Sequence, residues 1–195
     1  AETELMAEFG YEWTSVDQNY CLGGPLTRVG KYMFEKAGSI ESPDFFTQSI
    51  IKRMVIRLSS GAPVLPGALE LLRDLQANNV PTALVSASPR VLVDSVLKSV
   101  PEHTFSFSIS ADDVTNPKPD PEAYLMAADR LLVDIQNCLI LEDSQTGVKA
   151  ATSSGAFTIA VPHFIEIEPR ERLRVISSLS ELNYERLRIN YEQDK

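Results

Sequence analysis

Two adjacent carboxylates, Glu142 and Asp143, are the residues of this sequence whose types and spacing most directly suggest chemistry. They follow a short apolar run, Cys138 to Leu141, of the kind that a strand buried on both faces requires. Ser144 can cap a helix, so the two acids are predicted to lie in a turn at the carboxyl end of a strand. Such a pair is typical of a solvated helix start, where the helix dipole favours acids. Alternatively, the pair supplies hard oxygen ligands to Mg²⁺, which prefers one or two carboxylates together with waters and substrate phosphate.

Two further polar residues follow predicted strands in the same way. Ser86 follows the apolar run 80–85, and Lys118 lies in a Pro-Lys-Pro turn after a weaker strand at 105–109. Because the carboxyl ends of parallel strands share one edge of a sheet, we expect Ser86, Lys118 and the acid pair at that edge. Each alone is typical of a helix cap or a solvated lysine. Together, a hydroxyl with amide groups at a helix start, an ammonium and a Mg²⁺-binding acid pair suit a phosphoryl group.

The hydrophobic pattern divides the chain near residue 62. Before it, helical periodicity predicts a small bundle of helices, the last of them opening at Ser42 and Pro43 and ending before Gly61. After it, short apolar strands at 80–85, 105–109, 138–141 and 156–161 alternate with helices, one of which is predicted to open at Pro66. This alternation predicts an α/β fold with a parallel sheet covered on both faces. Residues 163–175 are predicted to be surface loop, and a helix around 182–189 to end the chain.

Composition narrows the function classes. The 195 residues include 18 basic and 27 acidic side chains, a net charge of −9, which argues against a nucleic-acid or anionic-membrane partner. No apolar run reaches membrane-spanning length and no secretory leader opens the chain, so we expect a cytoplasmic protein. A monomer is expected separately. Cys21 and Cys138 are too isolated for a disulfide framework or zinc site, and His103 and His163 lie in no nucleophile motif. Any catalysis is therefore expected to depend on carboxylates, lysine and a metal.

Three segments carry a resemblance to a known family. Residues 85–88 (Val-Ser-Ala-Ser), 118–121 (Lys-Pro-Asp-Pro) and 141–147 (Leu-Glu-Asp-Ser-Gln-Thr-Gly) resemble the second, third and fourth motifs of the haloacid dehalogenase superfamily. More narrowly, the sequence resembles the β-phosphoglucomutase-like branch of capped phosphatases. The resemblance implies a Rossmann-like parallel-sheet core, residues 63–195, with a helical cap domain, residues 1–62. It also implies that a phosphoryl group is transferred from a small phosphorylated metabolite in a Mg²⁺-dependent reaction, through an aspartyl-phosphate intermediate.

The same resemblance assigns roles to individual residues. Ser86 and the amide of Ala87 would hold the transferring phosphoryl group, and Lys118 would neutralise its charge and anchor the acids. Glu142 and Asp143 would bind Mg²⁺ directly or through water, so the expected catalytic residues are Ser86, Lys118 and Asp143.

The family's first motif, an Asp-x-Asp segment carrying the nucleophile, has no counterpart in this sequence. The resemblance places it on a central strand that precedes the cap, so we expect about 15 to 25 residues to be missing at the start. In the cap loop that begins at Gly23, Arg28 is expected either to bind a phosphate group or to be a solvent-exposed helix charge. A phosphatase is the leading interpretation. The alternatives are a β-phosphoglucomutase-type sugar phosphomutase and a non-catalytic phosphate- or metabolite-binding protein that lacks the nucleophile.

Overall fold

The first part of the chain is helical, as the periodicity predicts. A computed structural model describes residues 1–21, 25–161 and 167–193. Within its first 60 residues it contains four helices: α1 (Glu2–Ala7), α2 (Ser15–Cys21), α3 (Leu26–Lys36) and α4 (Pro43–Leu58). Helix α4 begins at Pro43 because the Ser42 hydroxyl accepts the Phe45 amide, which would otherwise lack a partner. The apolar faces of the four helices, together with Trp13 and Ala37 from the connecting segments, form a core of their own. Its other members are Leu5, Met6, Cys21, Val29, Met33, Phe46 and Ile50.

The rest of the chain forms two parallel sheets covered by helices. One sheet pairs β1 (Ala83–Val85) with β2 (Phe107–Ile109), and the other has the order β3 (Leu139–Glu142), β4 (Phe157–Ala160), β5 (Leu173–Val175). The covering helices are α5 (Ala68–Ala77), α6 (Arg90–Leu97), α7 (Glu122–Leu131), α8 (Gln145–Ser154) and α9 (Tyr184–Glu192). The predicted α/β fold with parallel strands is confirmed. Across the described ranges, no helix is long and apolar enough to cross a bilayer.

A groove separates the two sheets. In the described part of the chain β1 pairs with β2 and β3 pairs with β4, and β1 and β3 make no ladder with each other. A cavity of about 580 Å³ lies between them, lined by residues of both strands, by Leu71 and Leu75 of α5, and by Ala127, Ala128 and Leu131 of α7. The edges of β1 and β3 that border this cavity therefore have no strand partner within the described residues.

Several predicted element boundaries are wrong. Glu142 belongs to the last position of β3 and not to the turn after it, because its carbonyl accepts the Val161 amide at 2.7 Å. Strand β1 begins at Ala83 and not at residue 80, since Pro81 has no amide to donate to a ladder. Helix α5 begins at Ala68 and not at Pro66, because Gly67 precedes it in a left-handed conformation (φ 84°).

Strand β5 lies in the segment predicted to be surface loop. Leu173 is 1% exposed and pairs with Thr158 of β4, so this short segment is part of the sheet. Residues 163–166 of that prediction, His163 among them, lie outside the described residues, as does Gly23.

Candidate phosphate and metal site

The loop after β1 presents a backbone amide at the edge of the sheet. The Ser86 amide donates to the Ile109 carbonyl at 2.9 Å, and its hydroxyl accepts the Ser88 amide at 3.1 Å. Ala87 is exposed, and its amide makes no hydrogen bond to any described residue. An exposed loop amide of this kind can donate to an anionic oxygen.

The start of α6, which the sequence suggested as a source of free amides, is already capped. The Arg90 amide donates to the Asp112 carboxylate at 2.8 Å, across 22 positions of sequence. The Ala111 amide donates to the Ser88 carbonyl at 3.0 Å and so ties the loop to the end of β2. The Ala87 amide has no such partner within the described residues and stays available to a ligand. The capping role of Asp112 was not predicted.

Lys118 joins the ends of the two sheets. Its Nζ donates to the Val85 carbonyl at 3.1 Å, to the Tyr124 hydroxyl at 2.7 Å and to Glu142 Oε1 at 2.5 Å. An ammonium has three N–H donors, so all of them are engaged within the protein. The side chain is 6% exposed. Because Val85 ends β1 and Glu142 ends β3, the ammonium links these two strands next to Ser86.

Glu142 is held from both of its oxygens. Oε1 accepts hydrogen bonds from Lys118 and Tyr124, and Oε2 accepts from the Asp143 amide at 3.2 Å and from the Ser144 hydroxyl at 3.3 Å. Gly147, in the first turn of α8, makes room for this carboxylate, since a Cβ there would lie closer to it than the 3.0 Å that real Cβ atoms keep. The buried carboxylate is thus fixed by the protein itself.

Tyr124 packs against an apolar cluster that includes Ile140 and Ala150, but its hydroxyl also belongs to this site. It accepts from Lys118 and donates to Glu142, in a position that is 6% exposed. Burial and the negative charge of Glu142 raise the pKa of Tyr124 well above its ordinary value, so the phenol stays protonated and can donate. Tyrosine on an apolar helix face is ordinary core packing, so the sequence carried no signal for this role.

The donors at this edge fit a magnesium ion. Asp143 is exposed directly beside the buried Glu142, and both supply hard carboxylate oxygens. Within the described ranges, no group of three or more His, Cys, Asp or Glu side chains is placed to hold a metal. Mg²⁺ needs only one or two protein carboxylates, with waters and phosphate completing its shell. The exposed Asp143 fits that requirement, while both oxygens of Glu142 already accept hydrogen bonds from the protein.

Arg28 lies in the helical part of the chain, on α3. One guanidinium nitrogen donates to the Tyr20 carbonyl at 2.9 Å, and the guanidinium carbon lies 5.5 Å from the centre of the Tyr20 ring. Tyr20 in turn stacks on Tyr32, with ring centres 4.4 Å apart. The structure therefore brings Ser86, Ala87, Lys118, Glu142 and Asp143 to one edge, while these contacts of Arg28 lie within the helical part.

A parallel α/β core thus carries this set of residues at the ends of its strands. The chain belongs to the haloacid dehalogenase-like hydrolases, whose family profile matches residues 1–161. The resemblance stated from the three motifs is thereby confirmed.

Individual relatives agree with this family. The chain is 41% identical over 100 residues to the bifunctional riboflavin kinase/FMN phosphatase of Arabidopsis thaliana, covering 50% of this chain and 26% of that protein. It is 36% identical over 101 residues to validoxylamine A 7′-phosphate phosphatase of Streptomyces hygroscopicus subsp. limoneus, covering 51% and 47%. The chain thus spans half or less of the length of these relatives. Its fold is similar to that of β-phosphoglucomutase from Clostridium difficile (TM-score 0.81, 23% identity, 98% of this chain and 87% of that one).

Proposed function

We propose that this chain provides the phosphate- and metal-binding residues of a Mg²⁺-dependent phosphatase that acts on a small phosphorylated metabolite through an aspartyl-phosphate intermediate. The observation that carries the proposal is the Lys118–Glu142 ion pair, which lies at the ends of β1 and β3. It lies beside the exposed Asp143 and next to the loop with the available Ala87 amide. The relatives named as phosphatases of phosphorylated compounds support the same reaction class.

Each residue has a physical role in this proposal. The Ala87 amide and the Ser86 hydroxyl bind oxygens of the phosphoryl group, and Asp143 holds Mg²⁺ with Glu142 beside it. The ion, when bound, stabilises negative charge on the phosphoryl oxygens. Lys118 holds Glu142 in place and adds positive potential at the edge, although all three of its N–H groups already have partners. A direct bond from Lys118 to a phosphoryl oxygen would replace its longest hydrogen bond, the one to the Val85 carbonyl.

The proposed reaction also needs a carboxylate nucleophile. Its oxygen forms a bond to phosphorus as the ester P–O bond breaks, the departing alkoxide takes up a proton, and water then cleaves the acyl phosphate to release inorganic phosphate. We propose that the groove between β1 and β3 receives an extended strand bearing this nucleophile. The apolar lining of the groove and the unpaired strand edges support this placement, because a parallel strand there would satisfy both edges.

The test is a phosphate-release assay with a polypeptide that includes these 195 residues and the nucleophile-bearing strand. Activity on a panel of small phosphorylated metabolites should require Mg²⁺. It should fall roughly 100-fold or more in Asp143→Ala, as expected when one electrostatic stabiliser of a transition state is removed. Asp129→Ala is the matched control, because Asp129 is exposed on α7 and away from this edge. Full Mg²⁺-dependent activity in Asp143→Ala would contradict the metal assignment.

Two further measurements separate the alternatives. Glucose 1-phosphate in the panel distinguishes hydrolysis, which releases phosphate, from isomerisation, which yields another sugar phosphate. The intact mass of the purified protein shows whether residues beyond the 21.6 kDa of this chain are present. Phosphate binding without turnover by a protein of 21.6 kDa would favour the non-catalytic binding protein. Cytoplasmic location and a monomeric state stay predictions.

A further inference from the structure

The Tyr124 side chain makes two separable contacts with Lys118. The centre of its ring lies 4.5 Å from the Lys118 ammonium nitrogen, and its hydroxyl lies 2.7 Å from the same atom. The ring supplies a cation–π contact and the hydroxyl supplies a hydrogen bond. The hydroxyl proton is directed to Glu142, so one oxygen atom connects both members of the ion pair.

We propose that Tyr124 is a positioning residue, whose hydroxyl fixes the Lys118 ammonium and the Glu142 carboxylate relative to each other at the ends of β1 and β3. The consequence for catalysis depends on the proposed phosphatase function. The positioning itself is a property of the folded chain and is measurable without substrate or metal.

The physical basis is the number of partners available to two buried charges. Lys118 and Glu142 are 6% and 7% exposed, so water replaces few lost contacts. Without the hydroxyl, the ammonium keeps the Val85 carbonyl and Glu142, and one N–H is left without a protein acceptor. A hydrogen bond to a charged group is worth a factor of about 10 or more in an equilibrium. We therefore expect conformations in which Lys118 reaches solvent to become about 10-fold more populated.

Substitutions at position 124 separate the ring from the hydroxyl. Tyr124→Phe removes the hydroxyl and keeps the ring contact, whereas Tyr124→Leu removes both. Tyr184→Phe is the matched control, because Tyr184 packs partly buried against an apolar cluster and its hydroxyl has no hydrogen bond within the described residues. This control loses the same atom from a different part of the core.

The experiment is brief labelling of the folded chain with limiting acetic anhydride at a fixed pH, followed by peptide mass spectrometry. The ratio of acetylation at Lys118 to that at the exposed Lys149 is the readout, and melting temperatures identify any unfolded variant. We expect the ratio to rise about 10-fold in Tyr124→Phe, to rise further in Tyr124→Leu, and to stay unchanged in Tyr184→Phe. An unchanged ratio in folded Tyr124→Phe, or an equal rise in Tyr184→Phe, would overturn the proposal. If Tyr124→Leu does not fold, the Phe variant decides alone.

The labelling result is independent of the proposed reaction. If the labelling ratio rises in Tyr124→Phe but the protein, with its nucleophile-bearing strand present, hydrolyses no phosphate ester, the result supports positioning and refutes the phosphatase. In an active protein, Tyr124→Phe should lower kcat about 10-fold and change KM less than about twofold, since the Lys118 ammonium that Tyr124 and Glu142 hold in place stabilises negative charge that develops in the transition state. A loss confined to KM would overturn the positioning role in catalysis.

Discussion

Replacing Gly147 by alanine should expose how tightly the Glu142 carboxylate is confined. The added Cβ would lie within 3.0 Å of the carboxylate, so the carboxylate must leave its position. Overpacking of this kind costs about 1–3 kcal/mol. Displacing the carboxylate also weakens its hydrogen bonds to Lys118 and Tyr124, at about 1 kcal/mol or more each. Alanine gains at most about 1 kcal/mol in helix propensity, so we expect the free energy of unfolding to fall by about 3 kcal/mol.

Denaturant unfolding followed by circular dichroism measures the change in the free energy of unfolding. The same substitution made in a protein that lacks the Glu142 carboxylate isolates its cause. In a Glu142→Ala protein no carboxylate opposes the new methyl group. Adding Gly147→Ala to that background should then be neutral or stabilise the protein by up to about 1 kcal/mol. An equal loss of stability in both backgrounds, or no loss when Glu142 is present, would refute the idea that Gly147 is required because of Glu142.

Three further changes test other parts of the structure. Lys118→Met should lower the free energy of unfolding by roughly 3–5 kcal/mol in denaturant titrations, because it leaves the buried Glu142 charge unpaired. Adding Glu142→Gln to this variant should recover part of the lost stability. Ser42→Ala should cost about 1 kcal/mol through loss of the α4 cap, and Ser42→Asp should retain stability. Hydrogen bonds lower the pKa of Asp17, those from Thr14 having the largest effect and that from Tyr32 coming next. The contribution of Asp17 to stability is therefore present above about pH 4 and is lost as the pH falls through the lowered pKa. Asp17→Asn should therefore flatten the acid limb of a plot of melting temperature against pH; an unaltered limb would contradict this.

The sequence could predict which strand ends meet because short apolar runs are followed by polar residues or by a loop that carries one. Ser86 follows its strand at once, Glu142 ends its apolar run, and Lys118 lies in the loop after its strand. Parallel strands bring such positions to one edge without any knowledge of side-chain packing. The alternation of strand and helix also predicted the parallel fold, and the four helices before residue 60 were visible from their periodicity.

Other features depend on contacts that no local pattern records. Strand β5 contains only three residues and carries an arginine at its centre, so its burial depends on the neighbouring β4. The cap that Asp112 provides to α6 joins positions 22 residues apart. The hydroxyl of Tyr124 and the missing side chain of Gly147 acquire their roles only once α7, α8 and β3 are packed together. Tertiary neighbours, and not propensity, decide all of these.

The groove between β1 and β3 has a consequence for how this chain behaves at high concentration. Strand edges that lack partners, next to apolar walls, are templates on which strands of other molecules add. We expect the isolated chain to self-associate through this groove, with association increasing with protein concentration. The net negative charge of the chain opposes this association. A strand that fills the groove would therefore protect the protein against aggregation in addition to any chemistry it brings.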